Sequence, residues 1–116
     1  MKKQRTIIVP KDKNAENLLD FDNAKLEQLL ELQLDESNFE KLHKEGIFDL
    51  INKISKTNID DYENESIQDK DKIKKVIDEL TVKENFVSTE LKENVIEIRK
   101  LFQEALERGV GVYFYF

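Results

Sequence analysis

The residues best equipped for chemistry lie in the run TNIDDYENESIQ, residues 57–68, where Asp60, Asp61, Glu63 and Glu65 gather around Tyr62. Carboxylates this close have a short list of uses. A calcium loop alternates its oxygen ligands, turns on a glycine and ends on a bidentate glutamate, and this run has neither that glycine nor that alternation. An acid–base pair, Asp60 with Glu63 or Glu65, would sit at the short separation that glycosidic chemistry employs, but no substrate-positioning group accompanies it. Two readings remain open: a solvated loop, and a negative contact patch for a basic partner. Tyr113 and Tyr115, which alternate with Phe114 and Phe116, are either one face of the core or a pair of rigid, amphipathic interface anchors.

Little else in the chain could support a reaction. His43 is the one histidine and there is no cysteine, so a metal or nucleophilic centre would have to draw on distant carboxylates; a surface imidazole on a short helix is the simpler reading. The three glycines, Gly46, Gly109 and Gly111, are too few and too scattered for a phosphate-cradling loop. Gly46 and Gly109 fit helix ends, and Gly111 fits a strand position that something approaches closely. The sequence therefore predicts a protein that is not an enzyme, with no catalytic residue, no metal and no cofactor.

Composition sets the frame for these residues. A chain of 116 residues fits one domain over residues 1–116, since a second core would be too small to hold itself, with residues 1–4 as a flexible arm. Hydrophobic residues at 39% can build that core, and 38% charged residues give it a densely solvated surface. Met1, Lys2 and Lys3 carry the charge of an export signal, but only Ile7, Ile8 and Val9 follow before Pro10. No run nears the roughly 18 apolar residues of a membrane span. A cytoplasmic protein without membrane contact is expected.

Charge is unevenly distributed within the formal net value of −6. Residues 1–13 hold five basic and one acidic residue, residues 14–68 five and fourteen, and residues 69–116 nine and ten. The acidic part repels phosphate backbones and attracts basic proteins, with an effect on association that salt weakens. Nucleic acid is not an expected partner.

The elements that must position these groups follow from periodicity and capping. Arg5 to Val9 predicts a strand, rich in β-branched residues and closed by Pro10; Lys2, Lys3 and Arg5 form a solubilising terminus. Lys11 to Asn17 reads as a polar connector. Asp22 or Asn23 caps a first helix bearing Leu26, Leu29 and Leu30. Asp35 or Ser37 caps a second, with Phe39 and Leu42, that stops near Gly46. Ile47, Phe48, Ile51 and Ile54 make a third. After the acidic loop, Asp69 or Asp71 caps a fourth helix with the stripe Ile73, Val76, Ile77 and Leu80. Ser88 or Thr89 opens a fifth, carrying Leu91, Val95, Ile98, Phe102, Ala105 and Leu106 and ending at Gly109. Val110 to Phe116 is a strand with Val112, Phe114 and Phe116 on one side and the two tyrosines on the other. A strand this apolar needs a partner, and the first strand supplies it. The predicted fold is α+β and mainly helical: about five helices packed over one face of a small sheet made by the N-terminal and C-terminal strands.

The run Ile59–Ile67, followed by a helix and then by Ala105-Leu106-Glu107-Arg108-Gly109-Val110-Gly111-Val112-Tyr113-Phe114-Tyr115-Phe116, resembles small bacterial immunity proteins of polymorphic toxin systems, including contact-dependent growth inhibition. What the resemblance implies is a cytoplasmic inhibitor that binds the toxic C-terminal domain of a cognate effector, often a nuclease, and blocks its active site or a neighbouring surface. Nuclease sites attract phosphates and are basic, which suits an acidic occupant. Asp60, Asp61, Tyr62, Glu63 and Glu65, with Tyr113 and Tyr115, are the expected partner-binding residues, and a monomer is favoured over a dimer. The alternative is a non-catalytic structural or regulatory adaptor, homodimeric through the terminal sheet.

Overall fold

A computed structural model describes residues 5–20, 23–57 and 64–116. The β-branched run near the start forms β1 (Arg5–Pro10), the centre of a sheet completed by β2 (Leu29–Leu34), β3 (Asn64–Ile67) and β4 (Val112–Tyr115). The order across the sheet is β2-β1-β4-β3, and every neighbouring pair is antiparallel. The two ends of the chain thus meet as expected, with Thr6 opposite Tyr115 and Ile8 opposite Tyr113.

Among the described residues five α-helices complete the fold: α1 (Lys13–Asp20), α2 (Glu36–Lys44), α3 (Ile47–Ser55), α4 (Lys70–Lys83) and α5 (Thr89–Arg108). The pleat sends alternate residues to opposite faces. Ile7, Val9, Leu34, Ile67, Val112, Phe114 and Phe116 join the main core with α2 to α5. Ile8 and Tyr113 pack with Leu19 of α1 in a smaller cluster on the other face. Helices therefore cover both faces of the sheet, where the sequence predicted one.

Local signals place most of these elements. The Asp35 carboxylate accepts the N–H of Asn38 at 2.7 Å to cap α2, and the Asp69 carboxylate accepts those of Asp71 and Lys72 at 2.8 and 3.2 Å to cap α4. Gly46, at φ 78°, turns the chain from α2 into α3, and Gly109, at φ 69°, ends α5. Both conformations are ones that glycine adopts without strain.

Three elements differ from the sequence reading. The supposed connector Lys11–Asn17 opens α1: the Asp12 carboxylate accepts the N–H of Ala15 at 2.7 Å, and Ala15 and Leu19 are buried. The helix expected around Leu26, Leu29 and Leu30 is a short 3-10 turn, Leu26–Gln28, leading into β2. Leu30, Leu32 and Leu34 alternate with Glu31 and Gln33, and over so short a run the strand and helix periods overlap. Part of the expected acidic loop, Asn64–Ile67, is β3, because β4 offers it a ladder that no local signal announces.

Arg5 also moves from arm to core. Its guanidinium lies 3.9 Å from the centroid of the Phe39 ring, its Nη2 donates to Glu36 Oε1 at 2.9 Å, and the residue is 4% exposed. Cation–π attraction and a charged hydrogen bond make that burial tolerable.

Candidate protein interface

Asp60, Asp61, Tyr62 and Glu63 lie outside the described residues. Glu65 stands on β3 in register with Phe114, and its Oε1 accepts the Ser66 N–H at 3.2 Å. Tyr113 is buried; its hydroxyl donates to Glu16 Oε2 at 3.1 Å, so α1 covers it. Tyr115 is half-exposed. The structure brings Glu65, Tyr113 and Tyr115 together with Ser66 around a shallow hollow of about 180 Å³. His43 is exposed on α2, its ring 6.0 Å from that of Phe39. Among the described residues no group of three or more His, Cys, Asp or Glu side chains is placed to hold a metal ion.

A larger concavity, about 400 Å³, runs between α3 and the end of α4. Leu50, Val82 and Phe86 give it apolar walls, and Glu45, Asp49, Glu79, Lys53 and Lys83 surround them. Val82 is 56% and Phe86 75% exposed, although both side chains are large and apolar. Phe86 is held there by the turn after α4, in which the Asn85 N–H bonds to Val82 O at 3.2 Å and the Phe86 N–H to Lys83 O at 2.9 Å. An ion pair between Glu84 and Arg99 fixes that turn to α5, and Arg99 Nη1 donates to Gln103 at 3.0 Å. The ring is presented on a fixed support, so little conformational entropy is lost when it is covered.

A second groove, about 320 Å³, lies where β2 meets α5. Leu30, Leu32 and Leu101 line it, with Glu31, Glu97, Glu104 and Lys100. Glu104 is engaged by Arg108 Nε at 3.1 Å. Leu26, 75% exposed, precedes the strand.

Compared with known proteins, the chain matches no family model, no curated protein and no solved structure.

Both grooves have a floor of large apolar side chains. Each combines an apolar floor with carboxylates at its margin, an arrangement that desolvates an apolar side chain while attracting cations beside it. The sequence carries a signal for the first groove in Val82 and Phe86, which fall off the stripe Ile73, Val76, Ile77 and Leu80, so burying the stripe leaves them outside.

Proposed function

We propose that this protein is a non-catalytic, cytoplasmic inhibitor of the immunity type, which binds the toxic C-terminal domain of a cognate effector through the α3–α4 groove. The observation that carries this reading is Phe86, 75% exposed at the mouth of an apolar concavity bordered by Glu45, Asp49 and Glu79. Exposed aromatic side chains on rigid supports are the usual anchors of protein interfaces, and covering one fully is worth about 1.5 to 3 kcal/mol. The three carboxylates outnumber Lys53 and Lys83, and the chain's net charge of −6 adds a longer-range attraction for a cationic domain. The resemblance of residues 59–67 and 105–116 to immunity proteins supports a toxin, and a basic nuclease domain above other toxins, as the partner.

The test is a calorimetric titration, with stopped-flow mixing for the rate, of any toxin domain found encoded beside this gene against the wild type and Phe86→Ala. The expected loss is at least tenfold in affinity, about 1.4 kcal/mol, together with an association rate that falls as salt rises. Full affinity in Phe86→Ala would remove the groove from the account, and an absence of binding would remove the toxin.

A further inference from the structure

The edge of the sheet carries a second inference, separate from the α3–α4 groove. Lys11 N–H donates to Gln28 O at 2.9 Å, in step with the β1–β2 register. In an antiparallel ladder, directly bonded pairs recur at every second residue. Arg5, Ile7 and Val9 therefore bond to Leu34, Leu32 and Leu30, and Leu29, Glu31 and Gln33 turn their main-chain groups away from β1. The Leu29 N–H closes the 3-10 turn on Leu26 O. The N–H groups of Glu31 and Gln33 meet no strand among the described residues, because β2 is the end of the sheet.

Natural edge strands are commonly short, proline-broken, bulged or covered. β2 spans six residues, pairs along its whole length without a bulge, and contains no proline. Its α5-facing side chains, Leu30 and Leu32, are half-exposed and open into the groove that Leu101 completes. We propose that β2 is a docking edge for an extended segment of a partner protein, which adds as a fifth strand. The segment's main chain bonds to Glu31 and Gln33. Its apolar side chains enter between Leu30, Leu32 and Leu101 on the α5 face, and its basic side chains, alternating with them on the opposite face, meet Glu31.

Charge selects this occupant over a second copy of the chain. A twofold pair of β2 strands that keeps the outward amides bonded sets Glu31 either opposite its own copy, where like charges destabilise a ladder, or opposite Gln33, and neither register gives the carboxylate a cation. Among the described residues Glu31 and Glu97 have no ion pair, and Lys100 is the single ammonium lining the groove. A strand alternating apolar with basic residues satisfies the backbone, the leucines and the Glu31 carboxylate together.

Amide hydrogen exchange of the full-length chain tests this, with a short synthetic peptide alternating valine and lysine as the probe. In the free protein Leu30 and Leu32 should be protected and Glu31 and Gln33 should exchange rapidly. The peptide should slow Glu31 and Gln33 by at least about tenfold. A peptide N-methylated along its pairing edge, or one with glutamate in place of lysine, should not, and Leu32→Glu should weaken the unmodified peptide at least tenfold. Shifts at Lys100 and Leu101 without slowing of those two amides would overturn strand addition. So would protection that grows with protein concentration alone, which marks a second copy, or no response to the peptide at millimolar concentration. None of these outcomes depends on Phe86.

Discussion

Glu16 Oε2 accepts the main-chain N–H of Gly111 at 2.7 Å, and the same oxygen accepts the Tyr113 hydroxyl at 3.1 Å. The contact falls where the β1–β4 ladder ends. Two residues beyond the paired Ile8 and Tyr113, Pro10 has no N–H to offer the Gly111 carbonyl, the rung does not continue, and the Gly111 N–H donates to the carboxylate instead. One side chain of α1 thereby substitutes for the next rung of the sheet and fixes the helix over the second face.

Removing that carboxylate should be costly out of proportion to its size. Glu16 is 7% exposed, so Glu16→Ala leaves the buried Gly111 N–H unsatisfied and takes an acceptor from the Tyr113 hydroxyl, and a loss of about 2 to 4 kcal/mol is expected. Tyr113→Phe removes one donor and leaves the Gly111 bond, and should cost about 1 kcal/mol. Lys13, the remaining partner of Glu16, has its side chain 73% exposed and contributes little. Urea denaturation of the two single variants and the double variant measures this, with coupling between them as the signature of the shared oxygen.

Gly111→Ala should destabilise through a clash. A Cβ there would stand 2.8 Å from Gln68 Cγ, 2.9 Å from the Ile67 carbonyl oxygen and 3.3 Å from Glu16 Oε2. Gln68 can swing aside, but the carbonyl belongs to the β3 backbone and cannot, so a loss of about 1 to 3 kcal/mol is expected. At Gly109 a Cβ meets nothing within 4 Å, and the cost of alanine is the positive φ alone, about 1 kcal/mol. Thermal melts of the two variants should rank Gly111→Ala below Gly109→Ala.

Legibility from sequence follows how local each determinant is. α2, α4 and α5 are readable because their caps and stripes lie within a few residues: Asp35 to Asn38, Asp69 to Lys72, Leu91 to Gly109. β2 is not, because Leu26, Leu29 and Leu30 fit a helix as well as Leu30, Leu32 and Leu34 fit a strand, and only pairing with β1 decides. α1 is hidden behind the charges of Lys11 to Glu16, since the use of Glu16 depends on Gly111, far along the chain. The same holds for the interface. Tyr113 announces itself by type, yet Glu16 takes it into the interior, while Phe86 stays at the surface because it falls off the stripe that α4 buries.

Phe86→Ser should separate binding from stability. The ring is 75% exposed, so its removal takes little buried surface from the fold, and the change in unfolding free energy should stay within about 0.5 kcal/mol. Partner affinity should fall at least tenfold. If the variant melts markedly lower, the ring supports the fold instead of recognition, and Val82→Ser, which is also exposed at 56%, then becomes the cleaner probe of the groove.

Phe116 supplies the opposite case. It is fully buried, with its ring centroid 5.1 Å from Phe39, 5.2 Å from Phe48 and 5.7 Å from Phe114, all three edge-on. These contacts join α2 and α3 to the strand side of the core, and Arg5 closes the cluster from above Phe39. Phe116→Ala opens a cavity between three rings that cannot all shift inward, so about 3 to 5 kcal/mol should be lost. That is a large share of the roughly 5 to 15 kcal/mol that holds a domain of this size. Phe116→Leu, which keeps most of the volume and loses the edge-to-face geometry, should recover more than half of it. Denaturant midpoints for the two variants decide the point: equal losses would mean that the rings contribute through their stacking geometry and not through the space they fill.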